Sequence, residues 1–105
     1  MLNKDEATAL VQEQLELVGE KYRINHPDTP REMTEFAISR VDSVSFGWVF
    51  YWHLKEVIEG RADRPRLGGN GPFMVDREHH AVHRAGTARH TSYYVAEYER
   101  RRSSK

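Results

Sequence analysis

The sequence contains no cysteine, so it has no disulfide scaffold, no thiolate metal site and no cysteine nucleophile. Neither sign of charge dominates, because 16 Lys and Arg balance 16 Asp and Glu. That balance argues against a chain that mainly coats nucleic acid or an anionic membrane. No apolar run approaches the ~20 residues of a membrane-spanning helix, and the longest is Phe46–Trp52. The first residues lack the apolar segment of a secretory leader, so we expect a cytoplasmic protein.

The length of 105 residues suits one compact domain, and we expect a single domain over residues 1–105. Two Trp, five Tyr and four Phe supply large side chains for a small core. Charge is uneven along the chain, with a formal charge of −5 over residues 1–60 and +5 over residues 61–105. The two halves either mix in space or form a dipolar surface that steers a charged partner.

The first 25 residues have the pattern of an amphipathic helix. Asn3, followed three residues later by Glu6, matches a capping box. Apolar residues then recur at steps of three and four, and this stripe consists of Ala7, Val11, Leu15, Val18 and Tyr22. Leu10 and Leu17 widen the stripe, so we expect this face to pack against the rest of the domain.

From Met33 the apolar period approaches two. It predicts a strand to Val41, a loop or bend over Asp42–Ser45, a second strand over Gly47–His53 and a short helical turn over Leu54–Gly60. In the second strand one face consists of Trp48, Phe50 and Trp52, and the other of Val49, Tyr51 and His53. A strand that is apolar on both faces belongs inside a sheet, with a helix on one side and another cover on the other.

The remaining segments predict a hairpin and a last helix. Strands over Phe73–Asp76 and Ala81–Gly86 are joined by a turn at Arg77–His80, and Thr91 or Ser92 is placed to cap a helix. This order predicts an α+β fold. We expect a four-stranded, mostly antiparallel sheet packed against an N-terminal helix, with a short C-terminal helix.

No catalytic or metal-binding constellation stands out. His79, His80 and His83 are of the residue type that binds zinc, but adjacent histidines on a hairpin point apart. Ser, His and Asp occur without a nucleophile-elbow motif, and no carboxylate is marked by an apolar setting. We therefore predict no catalytic residue, no metal and no cofactor.

The glycine-rich loop is predicted to be a structural turn. A phosphate-binding loop runs from a strand into a helix, whereas this loop runs through a proline into a strand. It also lacks the Lys-Ser/Thr ending of such loops. The residues assigned to the turn are Gly69, Asn70, Gly71 and Pro72.

The aromatic strand is a candidate protein-binding surface as well as a candidate core. A 105-residue chain with one long helix has little material to cover both of its faces. If one face stays open, Trp48 with Trp52, or Tyr51 with His53, forms a partner site, because Trp and Tyr dominate interface hot spots.

Three segments, Phe46–Trp52, Leu67–Asp76 and Ala85–Ala88, together resemble the YrhB-like family of small bacterial proteins, many of which are classed as predicted immunity proteins of polymorphic toxin systems. The order of helices and strands also matches. Gly68 replaces an expected alanine, and His79–His80 replaces a turn usually built from Thr-Gly. The resemblance implies a non-enzymatic cytoplasmic protein that neutralises a toxin encoded beside it. One branch implies a chaperone-like role, and the family offers no agreed catalytic residues.

Charge suggests where such a partner would bind. The acidic half predicts a surface opposed to a basic toxin site, such as that of a nuclease, formed by Glu13, Glu16 and Glu20 with Glu32 and Glu35. The alternative function is a small chaperone-like domain that uses the aromatic strand.

Nucleic-acid binding is a third class, which the sequence disfavours. It would use Arg61, Arg64, Arg66 and the Arg100–Arg102 tail, but it also needs aromatic side chains interleaved with those arginines. The nearby aromatics have helical spacing that indicates packing, and they are Tyr93, Tyr94 and Tyr98. The sequence leaves the oligomeric state open.

Overall fold

The computed structural model of the chain describes residues 1–60 and 71–103. In chain order these form helix α1 (Lys4–Asn25), a 3₁₀ turn (Arg31–Thr34), strands β1 (Phe36–Val44) and β2 (Gly47–Leu54), helix α2 (Lys55–Ile58), strands β3 (Phe73–Asp76) and β4 (Val82–Arg84), and helix α3 (Thr91–Ser103). The strands form one antiparallel sheet in the order β1-β2-β3-β4. The predicted α+β fold is confirmed.

α1 begins where the capping box predicts. The Glu6 amide donates to the Asn3 side-chain oxygen at 2.8 Å, and the Asn3 amide donates to the Glu6 carboxylate at 3.0 Å. These bonds satisfy amides that a helix start leaves without partners. Leu17, at the edge of the predicted stripe, remains 53% exposed. The buried residues of α1 are Ala7, Val11, Leu15 and Gly19.

β1 is longer than the sequence predicts. It continues through Val44, which pairs with Gly47, so only two residues form the turn to β2 and the predicted bend over Asp42–Ser45 is wrong in its first three positions. β1 lies at the edge of the sheet, where charged side chains are tolerated because they reach water. Asp42 accordingly makes an ion pair with Arg40 at 3.1 Å.

β2 lies inside the sheet and is covered on both faces, as its double apolar pattern predicts. On one face α1 covers a core that includes Trp48, Phe50 and Trp52. On the other face lies a second cluster of buried residues, which consists of Phe46, Val49, Met74 and Ala85. The α3 side chains packed against this second cluster are Tyr94, Val95 and Tyr98. The C-terminal helix is therefore the second cover.

Two histidines occupy special positions, His90 at the start of α3 and His80 in the β3–β4 turn. The Ser92 amide donates to Nδ1 of His90 at 3.2 Å, so His90 takes the capping role, and the prediction of Thr91 or Ser92 is wrong by one or two positions. His80 has a φ of 53°, and among the described residues no other non-glycine residue has a positive φ. This left-handed conformation usually favours glycine.

A close backbone contact joins three segments that are far apart in sequence. The Trp52 indole N–H donates to the Gly71 carbonyl at 2.9 Å, and the Ala85 amide donates to the Pro72 carbonyl at 2.8 Å. A Cβ on Gly71 would lie 1.7 Å from the Ala85 carbonyl oxygen. Only glycine fits there. Of the predicted structural turn, Gly69 and Asn70 lie outside the described residues.

We expect Gly71→Ala to lower the free energy of unfolding by about 3 kcal/mol, because the new methyl group forces the backbone at Ala85 to move. Gly60→Ala is the control, since no described atom lies within 4 Å of a Cβ at Gly60 and its φ of +75° costs about 1 kcal/mol. Urea unfolding followed by tryptophan fluorescence measures both. Equal losses would contradict the steric explanation.

Candidate protein-binding surfaces

The two tryptophans of the aromatic strand lie in the core. Trp48 is 7% exposed and Trp52 is 6% exposed, both on the α1 side of the sheet. The Arg77 guanidinium lies 5.2 Å from the Trp48 ring centre, and that of Arg84 lies 5.2 Å from the Trp52 ring centre. With α1 on this face, the open surface on which a Trp48–Trp52 partner site depended is not present.

Tyr51 and His53 lie on the opposite face of β2 and are half-buried. The Arg40 guanidinium stacks 4.2 Å from the Tyr51 ring centre, and the Leu54 amide donates to Nδ1 of His53 at 2.7 Å. Each of these side chains therefore has a partner within the chain. They form a small mixed patch beside the β1 edge, and their role in partner binding stays a prediction.

The outer face of α1 carries carboxylates that have no partner in the described part of the chain. Glu13, Glu16 and Glu20 are all exposed, and none makes an ion pair with another described residue. Spacings of three, four and seven residues place them on one side of the helix. The predicted acidic residues Glu13, Glu16 and Glu20 are thus brought together on one exposed face, where none makes an ion pair with a described residue, although Glu16 and Glu20 also border a cleft that contains cations.

Several other carboxylates of the described chain make ion pairs. Glu35 lies 3.4 Å from Arg31, so the acidic character predicted for this position is compensated locally. Glu97 lies 2.6 Å from Arg100 and 3.4 Å from Arg101. The side chain of Glu32, like Arg61, Arg64 and Arg66, lies outside the described part of the structure.

A cleft of about 380 Å³ separates the C-terminal half of α1 from the 3₁₀ turn. Its walls carry both signs of charge, with Glu16 and Glu20 on one side and Arg31 and Lys55 among the cations. The Arg23 guanidinium donates to the Thr34 hydroxyl at 3.1 Å and ties the helix to the turn. At this end of the acidic face, Glu16 and Glu20 therefore lie on a cleft whose lining also includes cations.

The sequence reasoning missed a buried polar centre at Asp76. This side chain is 0% exposed, yet its Oδ1 accepts from the amides of Glu78 at 2.9 Å and His79 at 3.1 Å. Its Oδ2 accepts from the Tyr98 hydroxyl at 2.7 Å and from Nε of Arg102 at 2.8 Å. A fully buried carboxylate is stable only when it is paired and hydrogen-bonded in this way.

Burial and these hydrogen bonds together shift the pKa values of Asp76 and Tyr98. Burial raises the pKa of the Asp76 carboxyl, but the bonds from Tyr98, the two amides and Arg102 outweigh it and hold the pKa well below its usual range. Burial, together with the hydrogen bond to Asp76, raises the pKa of Tyr98 to about 12. Both groups therefore keep one charge state across the neutral range.

Asp76 could have been recognised in part from the sequence. A common way to close a turn is an aspartate whose carboxylate accepts hydrogen bonds from the backbone amides two and three residues further along the chain. Its second oxygen, however, is bound by Tyr98 and Arg102, one turn apart on α3, and nothing local to Asp76 indicates that helix. The predicted cationic tail is thereby partly neutralised, because Arg102 also lies 2.8 Å from Glu78.

The described residues contain no group of three or more His, Asp or Glu placed to hold a metal ion. Two of the predicted turn histidines, His79 and His83, line an open pocket of about 400 Å³ with Tyr98, Arg101 and Arg102. In the described chain, none of the helices has both the length and the apolar character to cross a membrane.

Comparison with known proteins gives one informative similarity. Over 55 residues, 52% of this chain, the sequence is 36% identical to the uncharacterized protein YrhB of Escherichia coli (strain K12). The matched stretch covers 58% of that relative, which is less than two thirds of its length. No protein-family model and no solved structure matches the chain. The match supports the resemblance to a YrhB-like family, and the name of the relative assigns it no activity.

The raised pKa of Tyr98 predicts that the folded chain loses stability at alkaline pH. The pKa of Tyr98 is raised to about 12 in the folded chain from 10.0. The contribution of the protonated Tyr98 hydroxyl to the free energy of unfolding is therefore complete below pH 10 and is lost as the pH rises toward 12. We expect the unfolding free energy of the wild type to fall by about 2 kcal/mol more than that of Tyr98→Phe between pH 9 and 12. Urea unfolding across this range measures the difference, and parallel profiles would contradict it.

Proposed function

We propose that this chain is a non-enzymatic, immunity-type protein of the cytoplasm that binds and neutralises a cognate toxin domain. The observation that carries the proposal is the set of exposed carboxylates Glu13, Glu16 and Glu20 on α1, none of which makes an ion pair with another described residue. The resemblance to the YrhB-like family supplies the class of partner. The 36% identity to YrhB supports that resemblance over about half of the chain.

The charge on α1 favours a basic partner. Unpaired carboxylates on a rigid helix attract cations without first having to break ion pairs within the chain. A nuclease toxin offers such a surface, because its active site must bind the phosphates of nucleic acid with basic side chains. Covering that site with α1 would block the substrate, and such a mechanism requires no catalytic group in this chain.

The contacts of the Asp76 centre support a structural role for this carboxylate. All four of its hydrogen bonds are made within the chain, and its lowered pKa keeps the carboxylate ionised. A general acid at neutral pH needs a carboxyl with a raised pKa, and an acid or a base needs an oxygen that substrate can reach. Asp76 has neither, so we assign it to stability.

A pull-down from the native host, followed by identification of the retained protein, tests the partner class. We expect a toxin domain encoded beside this chain, and co-production of the two should restore growth that the toxin alone arrests. Retention of many unrelated unfolded proteins, together with suppression of the aggregation of a heat-denatured unrelated enzyme, would support the chaperone-like alternative. That alternative relied on an open aromatic strand, which α1 covers at Trp48 and Trp52.

The charge mechanism predicts a specific loss in the triple variant Glu13→Gln/Glu16→Gln/Glu20→Gln. We expect its affinity for the identified toxin to fall about tenfold at low salt, and its dependence on salt concentration to flatten, because exposed charges act mainly through screened attraction. Titration calorimetry at two salt concentrations measures both effects.

Glu97→Gln is the matched control, since this carboxylate is already paired with Arg100 and Arg101 on α3. We expect it to bind the toxin with unchanged affinity. If the triple variant also binds unchanged, α1 is not the electrostatic contact, although neutralisation of a toxin through another surface would stand.

A further inference from the structure

α3 is attached to the sheet much more lightly than α1. No described side chain of α3 is fully buried, whereas α1 buries Ala7, Val11 and Leu15 in the core. The contacts of α3 with the second cluster come from the half-buried Tyr94, Val95 and Tyr98. An element that removes little of its own apolar surface from water has a low local free energy of opening.

The connection to α3 allows it to move separately from the sheet. Residues 86–90, which join β4 to α3, are all exposed. The ladder bonds of the sheet run between the four strands, and α3 takes no part in them. Displacement of α3 therefore breaks side-chain contacts and leaves the strand pairing intact.

The hydrogen bonds of Asp76 divide between the sheet and α3. Oδ1 accepts from the Glu78 and His79 amides, which belong to the same turn as Asp76. Oδ2 accepts from Tyr98 and Arg102, which belong to α3. On displacement of α3 the Oδ1 bonds persist and Oδ2 becomes open to water, so no buried charge is left without a partner.

We propose that α3 acts as a strap, meaning a helix that releases from the sheet as a unit while α1 and the four strands stay folded. The hydrogen bonds to Oδ2 of Asp76 hold α3 in place, and we call this oxygen the catch. Release uncovers an apolar surface centred on Phe46, Val49 and Met74, which are 1%, 1% and 6% exposed when α3 is bound. This conformational device goes beyond the proposed function and does not depend on it.

Native-state hydrogen exchange of the full chain tests the strap directly. We expect the amides of residues 95–102 to exchange at least tenfold faster than those of β2 at residues 48–53. We also expect their exchange to depend less steeply on denaturant, because release of α3 exposes less surface than global unfolding. Equal protection with equal denaturant dependence would show a single cooperative unit and overturn the proposal.

Asp76→Asn tests the catch, because the amide keeps an oxygen for the turn and places an NH₂ donor where Tyr98 and Arg102 need an acceptor. We expect residues 95–102 to exchange within about tenfold of the rate of an unstructured chain, while residues 48–53 stay protected and bis-ANS fluorescence rises at least twofold. Glu97→Gln, which changes a carboxylate of α3 that does not reach the sheet, should leave α3 as protected as in the wild type.

Two outcomes of the variant experiment would overturn the proposal. One is an Asp76→Asn chain in which helix and sheet lose protection together. The other is an Asp76→Asn chain in which α3 is as well protected as β2. Tyr98→Phe removes one of the two bonds to Oδ2 and should give a smaller increase in α3 exchange than Asp76→Asn.

Discussion

An inner strand with bulky apolar side chains on both faces needs a cover on each side of its sheet. β2 imposes this requirement here, and the short chain meets it with two unequal helices. α1 contributes a continuous buried face against Trp48, Phe50 and Trp52. α3 contributes only half-buried side chains, and a buried ion pair at Asp76 adds to their hold. The difference between these two covers determines which part of the molecule is rigid.

The segments that resemble the YrhB-like family meet one another inside the protein. Trp52 donates to Gly71, and Gly71 lies against the carbonyl of Ala85. Asp76, the last residue of the second segment, holds α3. These residues are thus positioned to determine packing, so they indicate a fold more directly than a function. The surface that supports the proposed function lies outside them, on α1.

The positive and negative charges of the chain differ in how far they are paired in the structure. Much of the excess positive charge near the C-terminus is paired, because Glu97 holds Arg100 and Arg101, and Asp76 holds Arg102. The negative charge of α1 stays open to solvent. The sequence left open whether the two halves mix or form a dipolar surface, and among the described residues the exposed cluster without ion pairs lies on the acidic side, on α1, which is the surface that the proposed function uses.

Patterns local to one segment were predictable from the sequence, and contacts between distant segments were not. The capping box at Asn3, the alternation in β2 and the order of elements follow from neighbouring residues. The extension of β1 to Val44 depends on its pairing with Gly47, which a polar edge strand does not reveal. Whether Trp48 and Trp52 were core or surface depended on α1, and the role of Asp76 depended on α3. Sequence periodicity carries no information about such partners.

The left-handed backbone at His80 places a steric cost in the β3–β4 turn. A glycine at this position adopts the same conformation without the steric cost of a Cβ, a difference of about 1 kcal/mol. This chain carries an imidazole there instead, and the two amides bound by Oδ1 of Asp76 keep the turn closed despite that cost. The carboxylate is thus an internal brace that holds the hairpin closed at a position where a side chain carries a steric cost.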